Sequence, residues 1–547
     1  MNRPIVTLLL IGCLQIITNS GVLAQPPIPV YRWDAGSSKS NETMTDVMIT
    51  TGPGNRIAGR FNGKTSEIRA SHSDITTTLQ NTEFTISLWA STEVQGHETA
   101  GDLLRILDAA NAHGVRLGID THAGVTNAQS NLRQLQFGIQ SNSITPEFQD
   151  HGRPGQSVYV FSLCVHDGRL YAATCEAGEN QKGHVYRFEK DQQWTDLGSP
   201  DEANAISAMA VFEDQLYVAS SKYRLAGSSL PESPNPSFGG RVFRLSKEDR
   251  WEPCGRLSED TEAVASLIDY RGALYASSLY RPAGFFKFDG GQSWTPMPTP
   301  EGKRVEAMTV FNDRLYATSY DEGSVFRFDG ERWETVTRIP NATQTYGFGI
   351  HQGKLFVSEW PQAHVFRMDS FEANEWTDTG KLGQELEAMP LLTHNGALYC
   401  GSLPSAEVYR YDGRTAWERV GRVDHTPDVK YRRAWSMAVY KGRLFVGTLP
   451  SGRIQSMDSG PNVTWDTRFP DGWHHIAAVR RPGRLELFVD GKCVSMAAVA
   501  NHVELLLKNA QLTIGSGAQD HFQGELSDIQ IFRTALSEDQ ISRLAKP

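Results

Sequence analysis

Between residues 150 and 466 the pattern of apolar and polar positions repeats. A turn and a short strand, as in Asp167-Gly168-Arg169-Leu170-Tyr171-Ala172-Ala173-Thr174, return at Leu216 to Ser220, Leu274 to Ser278, Leu315 to Ser319, Leu355 to Glu359, Leu398 to Ser402 and Leu444 to Thr448. The anchoring leucines fall 40 to 58 residues apart, a spacing that means stacked supersecondary units. A second apolar segment with a basic residue follows in six of them, from Val185-Tyr186-Arg187-Phe188 to Val408-Tyr409-Arg410-Tyr411. Next come a tight turn and a tryptophan: Trp194, Trp251, Trp294, Trp333, Trp376, Trp417 and, in a degenerate seventh unit, Trp465. Short β-branched or aromatic strands joined by Asp-Gly and Asn-Asp turns predict a four-stranded antiparallel blade. Seven of them predict a seven-bladed β-propeller over 150–466. The recurrent basic residue is expected to pair with turn aspartates such as Asp289, Asp329 or Asp412, and Cys400 to act as a small buried hydrophobe.

The repeats resemble those of Kelch and Asp-box propellers, and Asp289-Gly290-Gly291-Gln292-Ser293-Trp294 is similar to an Asp-box turn. The flanks follow a different pattern. Towards the C-terminus stand Gly472-Trp473-His474-His475-Ile476-Ala477-Ala478-Val479, Leu485-Glu486-Leu487-Phe488-Val489-Asp490-Gly491-Lys492, Leu512-Thr513-Ile514-Gly515 and Gly524-Glu525-Leu526-Ser527-Asp528. In this order they resemble the end of a LamG-like domain, the concanavalin A-like lectin/glucanase jelly roll. Upstream, Phe84-Thr85-Ile86-Ser87-Leu88-Trp89-Ala90 resembles the central strand of that family. The resemblance implies an all-β chain: a jelly-roll sandwich in two halves, 25–149 and 467–547, interrupted by the propeller. The insertion is physically reasonable, because a closed propeller begins and ends at nearly one point and mimics a short loop.

The first 24 residues read as an export signal, with Arg3, the apolar run Ile5 to Ile11 and Val22-Leu23-Ala24 before Gln25. Leu10-Ile11-Gly12-Cys13 offers the competing reading of a lipid anchor on Cys13. The expected location is secreted or periplasmic, without a later membrane span. The formal charge is −10, and no run of five Lys or Arg occurs, which argues against nucleic acid or anionic lipid as partner. The cysteines after the signal are odd in number and scattered, so no disulfide framework is expected.

Ligand chemistry is expected at the propeller mouth, where loops between strands two and three and between successive units gather. Glu262, Glu306, Tyr346, Glu387, Arg433 and Trp435 fall at or near the start of first strands, and Tyr223, Tyr280, Arg281, Tyr320 and Trp360 follow second strands. Aromatic faces stack on sugar rings while carboxylates and arginines bind hydroxyls and acidic groups. The candidate ligand-binding set is Glu262, Glu306, Tyr320, Tyr346, Trp360, Glu387, Arg433 and Trp435. No nucleophile elbow, HExxH or P-loop appears, and no catalytic residue is assigned. The LamG resemblance implies a structural calcium ion, with Asp34 and Asp528 at matching positions. The reading is an exported non-catalytic binder of glycan or of a cell-surface or extracellular protein. Its rival is a glycoside hydrolase or lyase with its active site at the propeller mouth.

Overall fold

The protein, seen in a computed structural model, is described over residues 25–34, 42–71, 73–80, 83–96, 98–108, 113–122, 130–140, 146–411, 413, 416–499, 505 and 507–547. The segment 1–24 with Cys13, and Asp412, lie outside the described residues. The fold is all-β, and among the described residues no helix is long and apolar enough to cross a membrane.

Two facing sheets draw on both ends of the chain. The first has the order Met48–Thr51, Ile57–Asn62, Gln523–Phe532, Phe84–Thr92, Gly472–Arg481, Arg484–Val489, Lys492–Ala498, with Tyr31–Trp33 beside Gln523–Phe532. The second runs Glu42–Thr45, Glu67–Ala70, Gln511–Ile514, Gly101–Asp108, His113–His122, Ser130–Gln140, Asn462–Trp465. Register is set by period-two burial: Ile476 pairs with Leu88 and Ala478 with Ile86, and Ile86, Leu88, Ile476 and Leu487 join Leu104, Val115, Leu117 and Phe137 in one core. His475 is buried on the face of its strand opposite Ile476, 2.9 Å from Ser87 Oγ, while His474 contacts Asp490, so neighbours on one strand go to separate partners.

Residues 148–457 build the propeller from five separate four-stranded sheets and one eight-stranded sheet. The expectation of seven separate blades is corrected. In the eight-stranded sheet two four-stranded meanders, 159–196 and 205–256, are joined by the pair Cys175 and Ala205. First strands touch their neighbours around a ring that closes where Arg433–Tyr440 meets Tyr159–His166. Hydroxyl groups on first or second strands reach a backbone carbonyl of the next unit: Ser207 to Val264 at 2.6 Å, Ser277 to Glu306 at 3.2 Å, Thr318 to Tyr346 at 3.1 Å, Ser358 to Met389 at 2.6 Å and Ser436 to Val160 at 3.0 Å. Buried hydroxyls thus satisfy carbonyls that no ladder reaches.

The repeated tryptophans do similar work on the outside. The indoles of Trp194, Trp251, Trp294 and Trp333 donate to the carbonyls of His151, Leu197, Cys254 and Pro298, each in the preceding unit, at 2.8 to 3.0 Å. Trp465 does not belong to this series. Asn462–Trp465 pairs with Ser130–Gln140 in the jelly roll, and the outer strand of the last propeller sheet is Phe148–Asp150, which pairs with Ile454–Met457. The basic residues of the third strands also differ from expectation. Arg244, Arg327 and Arg410 pair across the hairpin with Glu252, Glu334 and Glu418 at 2.5 to 2.8 Å, because these are their direct cross-strand partners. Asp289 instead accepts from Thr295, and Asp329 caps its own turn. Cys400 is buried.

The jelly roll seats against one end of the propeller. Alternate residues of the second sheet, Arg105, Arg116, Gln134 and Gln136, point away from its apolar core yet are buried. Propeller turns cover them: Gln134 donates to the Val439 carbonyl at 3.0 Å, Asn395 to the Ile139 carbonyl at 3.1 Å, and the Gly353 N–H to the Gln519 carbonyl at 3.0 Å. Arg116 is 1% exposed and lies between Asp102, at 2.6 Å, and Asp120, at 2.5 Å.

Candidate ligand-binding site

The end of the ring away from the jelly roll collects the expected aromatic and charged side chains, because first strands begin and second strands finish there. The Tyr320 and Tyr346 rings lie 6.1 Å apart at 90°, and Tyr346 and Trp435 6.4 Å apart at 74°. The guanidinium of Arg433 lies 5.6 Å from the Trp435 ring and 3.7 Å from Glu387 Oε2. Trp435 is fixed by its indole N–H, which donates to the Phe161 carbonyl at 3.0 Å. Tyr320, Tyr346, Trp435, Arg433 and Glu387 therefore form one linked group, and Glu306 faces it through Tyr320. Glu262 and Trp360 stand apart at the rim. Glu262 holds Arg224 at 2.7 Å, and the Trp360 carbonyl accepts from the Thr343 N–H at 2.9 Å.

The mouth is filled rather than open. Glu306, Tyr346, Glu387, Arg433 and Trp435 are all buried, with Glu306 at 0%. Tyr159 and Phe161 complete an aromatic box with Trp435 and Tyr223, with ring separations of 4.3 to 6.0 Å. The segment 222–240 lies over it, carrying the short 3-10 turn Leu225–Ser228 whose Leu225 is buried in the cluster. Its Ser228 hydroxyl accepts from Arg433 and pairs with the Tyr223 hydroxyl at 2.8 Å. Glu232 holds the turn by accepting the N–H groups of Leu225 and Ala226, and Asn235 ties the segment to the carbonyls of Gln181 and Glu202. Tyr159, Phe161 and Ser228 escaped the sequence reading. The 58-residue step from Leu216 to Leu274 was the signal for the extra segment.

Burial dominates the electrostatics. It pushes Glu306 well above the usual carboxylate range, opposed by the Tyr320 hydroxyl and Arg304, and it raises Glu387 against the pull of Arg433. Burial opposes the charge of Arg433, but Glu387 and the tyrosines around it outweigh that and raise its pKa well above the usual value. Arg433 Nε and Tyr159 Oη are buried without a hydrogen-bond partner among the described residues. Such groups are rare in native interiors.

At the rim, a surface pocket of about 690 Å³ is lined by Arg281, Lys303, Tyr320, Asp321 and Thr343, among others. Tyr320 is half-buried there, under the Arg304 guanidinium at 5.1 Å, and Asp321 accepts from both Arg304 and Arg281. A second cleft, of about 870 Å³, follows the seam between propeller and jelly roll, bordered by Asp167, Asp249, Arg468 and Asp471.

Asp34 and Asp528 come together on neighbouring strands, one step beyond the registered pair Trp33 and Ile529. Their donor set does not suit a calcium ion. Asp528 Oδ1 is 2.9 Å from Arg32, so a hydrogen-bonded guanidinium already balances its charge. Calcium sites need several free oxygen ligands. Among the described residues no group of three or more His, Cys, Asp or Glu is placed to hold a metal ion.

The family model of the concanavalin A-like lectin/glucanases superfamily, Laminin_G_3, matches residues 416–542. The match runs from the last propeller strands through the C-terminal jelly-roll strands. No curated protein matches the chain. Among solved structures, virginiamycin B lyase from Staphylococcus aureus is 11% identical, covers 57% of this chain and 99% of its own, and has a TM-score of 0.46. A gluconolactonase from Xanthomonas campestris is 13% identical, covers 67% of this chain and 97% of its own, and has a TM-score of 0.33.

Proposed function

We propose that the chain is an exported, non-catalytic carbohydrate-binding protein whose ligand surface is the propeller end away from the jelly roll. The observation that carries this reading is the aromatic series Tyr320, Tyr346 and Trp435, linked to Arg433 and opening at Tyr320 onto the rim pocket. Stacking faces beside charged hydrogen-bonding groups are the chemistry that sugars require. The jelly roll's polar sheet face is covered by the propeller, which favours the propeller end over the jelly roll as the binding surface.

Binding rather than hydrolysis is favoured by where the acids lie. Glycosidic hydrolysis places two carboxyl groups on either side of the bond to be cut. Glu306 and Glu387 are buried beneath the aromatic side chains and are not on the wall of the rim pocket. Kinship to Kelch or Asp-box propellers is likewise our reading, supported by the Asp289 turn, where Asp289 accepts from the Thr295 hydroxyl at 2.7 Å.

A glycan-array screen of the chain, with product analysis of every hit after long incubation, tests the proposal. Binding without turnover, weakened about tenfold or more by Tyr320→Ala, is expected, since the apolar face that a sugar ring would cover is worth on the order of 1.5–3 kcal/mol. Turnover abolished by Glu306→Gln would establish the enzyme instead, and binding of a protein partner alone would remove the sugar.

A further inference from the structure

We propose that segment 222–240 is a displaceable stopper over a carboxylate site built around Arg433, so that the sugar taken at the propeller mouth is an acidic one of the uronic type. This rests on the glycan-binding reading and names its ligand class and its control.

A guanidinium has five N–H donors. Arg433 is 6% exposed, and its hydrogen bonds within the described residues go from Nη1 to two neutral hydroxyls, Ser228 and, at 3.4 Å, Tyr223. Its Nε has no partner among the described residues, and Glu387 stands 3.7 Å from Nη2, beyond hydrogen-bond reach. Tyr159 Oη in this end of the ring is also buried without a partner among the described residues. The mouth thus holds a fixed guanidinium, faced by Glu387 but not hydrogen-bonded to it, whose Nε edge is unfilled, with the Tyr159 hydroxyl unpaired nearby. The fork of an arginine matches a carboxylate through two parallel bonds.

The size of the charge is limited by the neighbours. Burial pushes both carboxyl groups that face the guanidinium, Glu387 and Glu306, towards their protonated form, so among the described residues the box carries one positive charge and suits a monoanion rather than a doubly charged phosphate. Tyr346 and Trp435 supply flat faces for the ring that carries the carboxylate.

Ser228 belongs to the stopper and occupies the place of a ligand oxygen. The stopper is an addition to its unit, which is why the step from Leu216 to Leu274 is the longest of the repeats. Leu225 is the one fully buried apolar side chain of the segment, with Tyr223 and Leu230 packed partly against the same cluster, while Phe238 is 56% accessible and Glu232 and Asn235 hold it through polar ties. Segments with few buried apolar contacts open at low free energy.

The test is calorimetric titration of the full chain with glucuronate, glucose and acetate, with hydrogen exchange of 222–240 followed in parallel. Glucuronate is expected to bind at least about tenfold more tightly than glucose or acetate and to speed exchange in 222–240. Ser228→Ala should tighten glucuronate about tenfold or more, the worth of one competing hydrogen bond to a charged group. Arg433→Lys, which keeps the charge and loses the fork, should weaken it by a similar factor; the exchange readout on the unaltered chain stands if that variant fails to fold. Equal binding of glucose and glucuronate with 222–240 unchanged overturns the carboxylate site while leaving glycan binding intact. Acetate binding as tightly as glucuronate overturns the sugar assignment. If no array glycan binds either, the reading on which the site rests fails as well.

Discussion

The indole nitrogen of Trp194 donates to the carbonyl of His151 at 2.8 Å, and this bond joins the first unit of the propeller to the chain that closes the last one. His151 itself lies between Phe188 and Phe445, with its ring stacked 4.7 Å from Phe445. The strand just before it, Phe148–Asp150, completes the final sheet. Ring closure therefore depends on a three-residue strand and the residues that clamp its exit. Trp194→Phe keeps most of the packing and removes the donor, so it should lower stability by about 1 kcal/mol, read from urea unfolding. The same change at Trp376, whose indole nitrogen is buried without a partner among the described residues, should be near neutral.

Arg116 carries the seam between the two bodies. It is buried between Asp102 and Asp120, with Gln136 at 3.3 Å, on the face of the jelly-roll sheet that the propeller covers. Removing one partner of a buried charge group strands the others, so Arg116→Gln should lower stability by about 3–5 kcal/mol. The melting temperature by calorimetry checks this. A loss below about 1 kcal/mol would mean that the seam is wet and the carboxylates are solvated.

The seam also sets a pH dependence with two opposed limbs. Burial lowers His351 and His394 to about 3, with nearby Arg116 adding to it. Their folded values lie below the ordinary 6.5, so their contribution is full above that pH and is lost as pH falls from about 6.5 towards 3. Glu98 behaves in the opposite way. Burial, with Asp313 beside it, pushes it up to about 7, so its contribution is present below about 4.5 and is lost as pH rises from there to about 7. Glu98→Gln should therefore gain stability relative to the parent as pH rises from 4.5 to 7, and His394→Gln should gain most at the acid end. Melting curves of the three proteins from pH 4 to 8 give the comparison.

Gly401 marks a close approach between the last two units. A Cβ there would lie 2.2 Å from the Ala434 carbonyl oxygen, well inside van der Waals contact and against backbone rather than a mobile side chain. Gly401→Ala should destabilise by about 1–3 kcal/mol. Gly413→Ala, where an added Cβ meets nothing within 4 Å among the described residues beyond its chain neighbours but φ is +85°, separates the steric effect from backbone strain.

The sheets were legible where local pattern decides them. Leu170, Leu216 and their counterparts are buried in every repeat, and Leu485, Leu487 and Val489 pack as the alternation requires. What escaped depends on contacts between distant segments. Arg105, Arg116, Gln134 and Gln136 alternate with apolar neighbours exactly as a solvent face would, and only the docked propeller buries them. Trp465 follows the repeat spacing, yet its strand gains more by extending the jelly-roll sheet beside Ser130–Gln140. At the mouth, residue types and their place at strand starts identified Tyr346, Glu387, Arg433 and Trp435 as neighbours. Their concealment follows from segment 222–240, whose polar composition reads as an ordinary loop.

The central claim is that ligand is taken at the propeller end away from the jelly roll. Hydrogen exchange of the full chain, with and without the strongest glycan from the array, tests it most directly. The account expects changes confined to 222–240 and to the segments around Tyr320, Trp360 and Arg433, with the strand His113–His122 unaltered. Protection appearing on jelly-roll strands, with the propeller mouth unchanged, would contradict it.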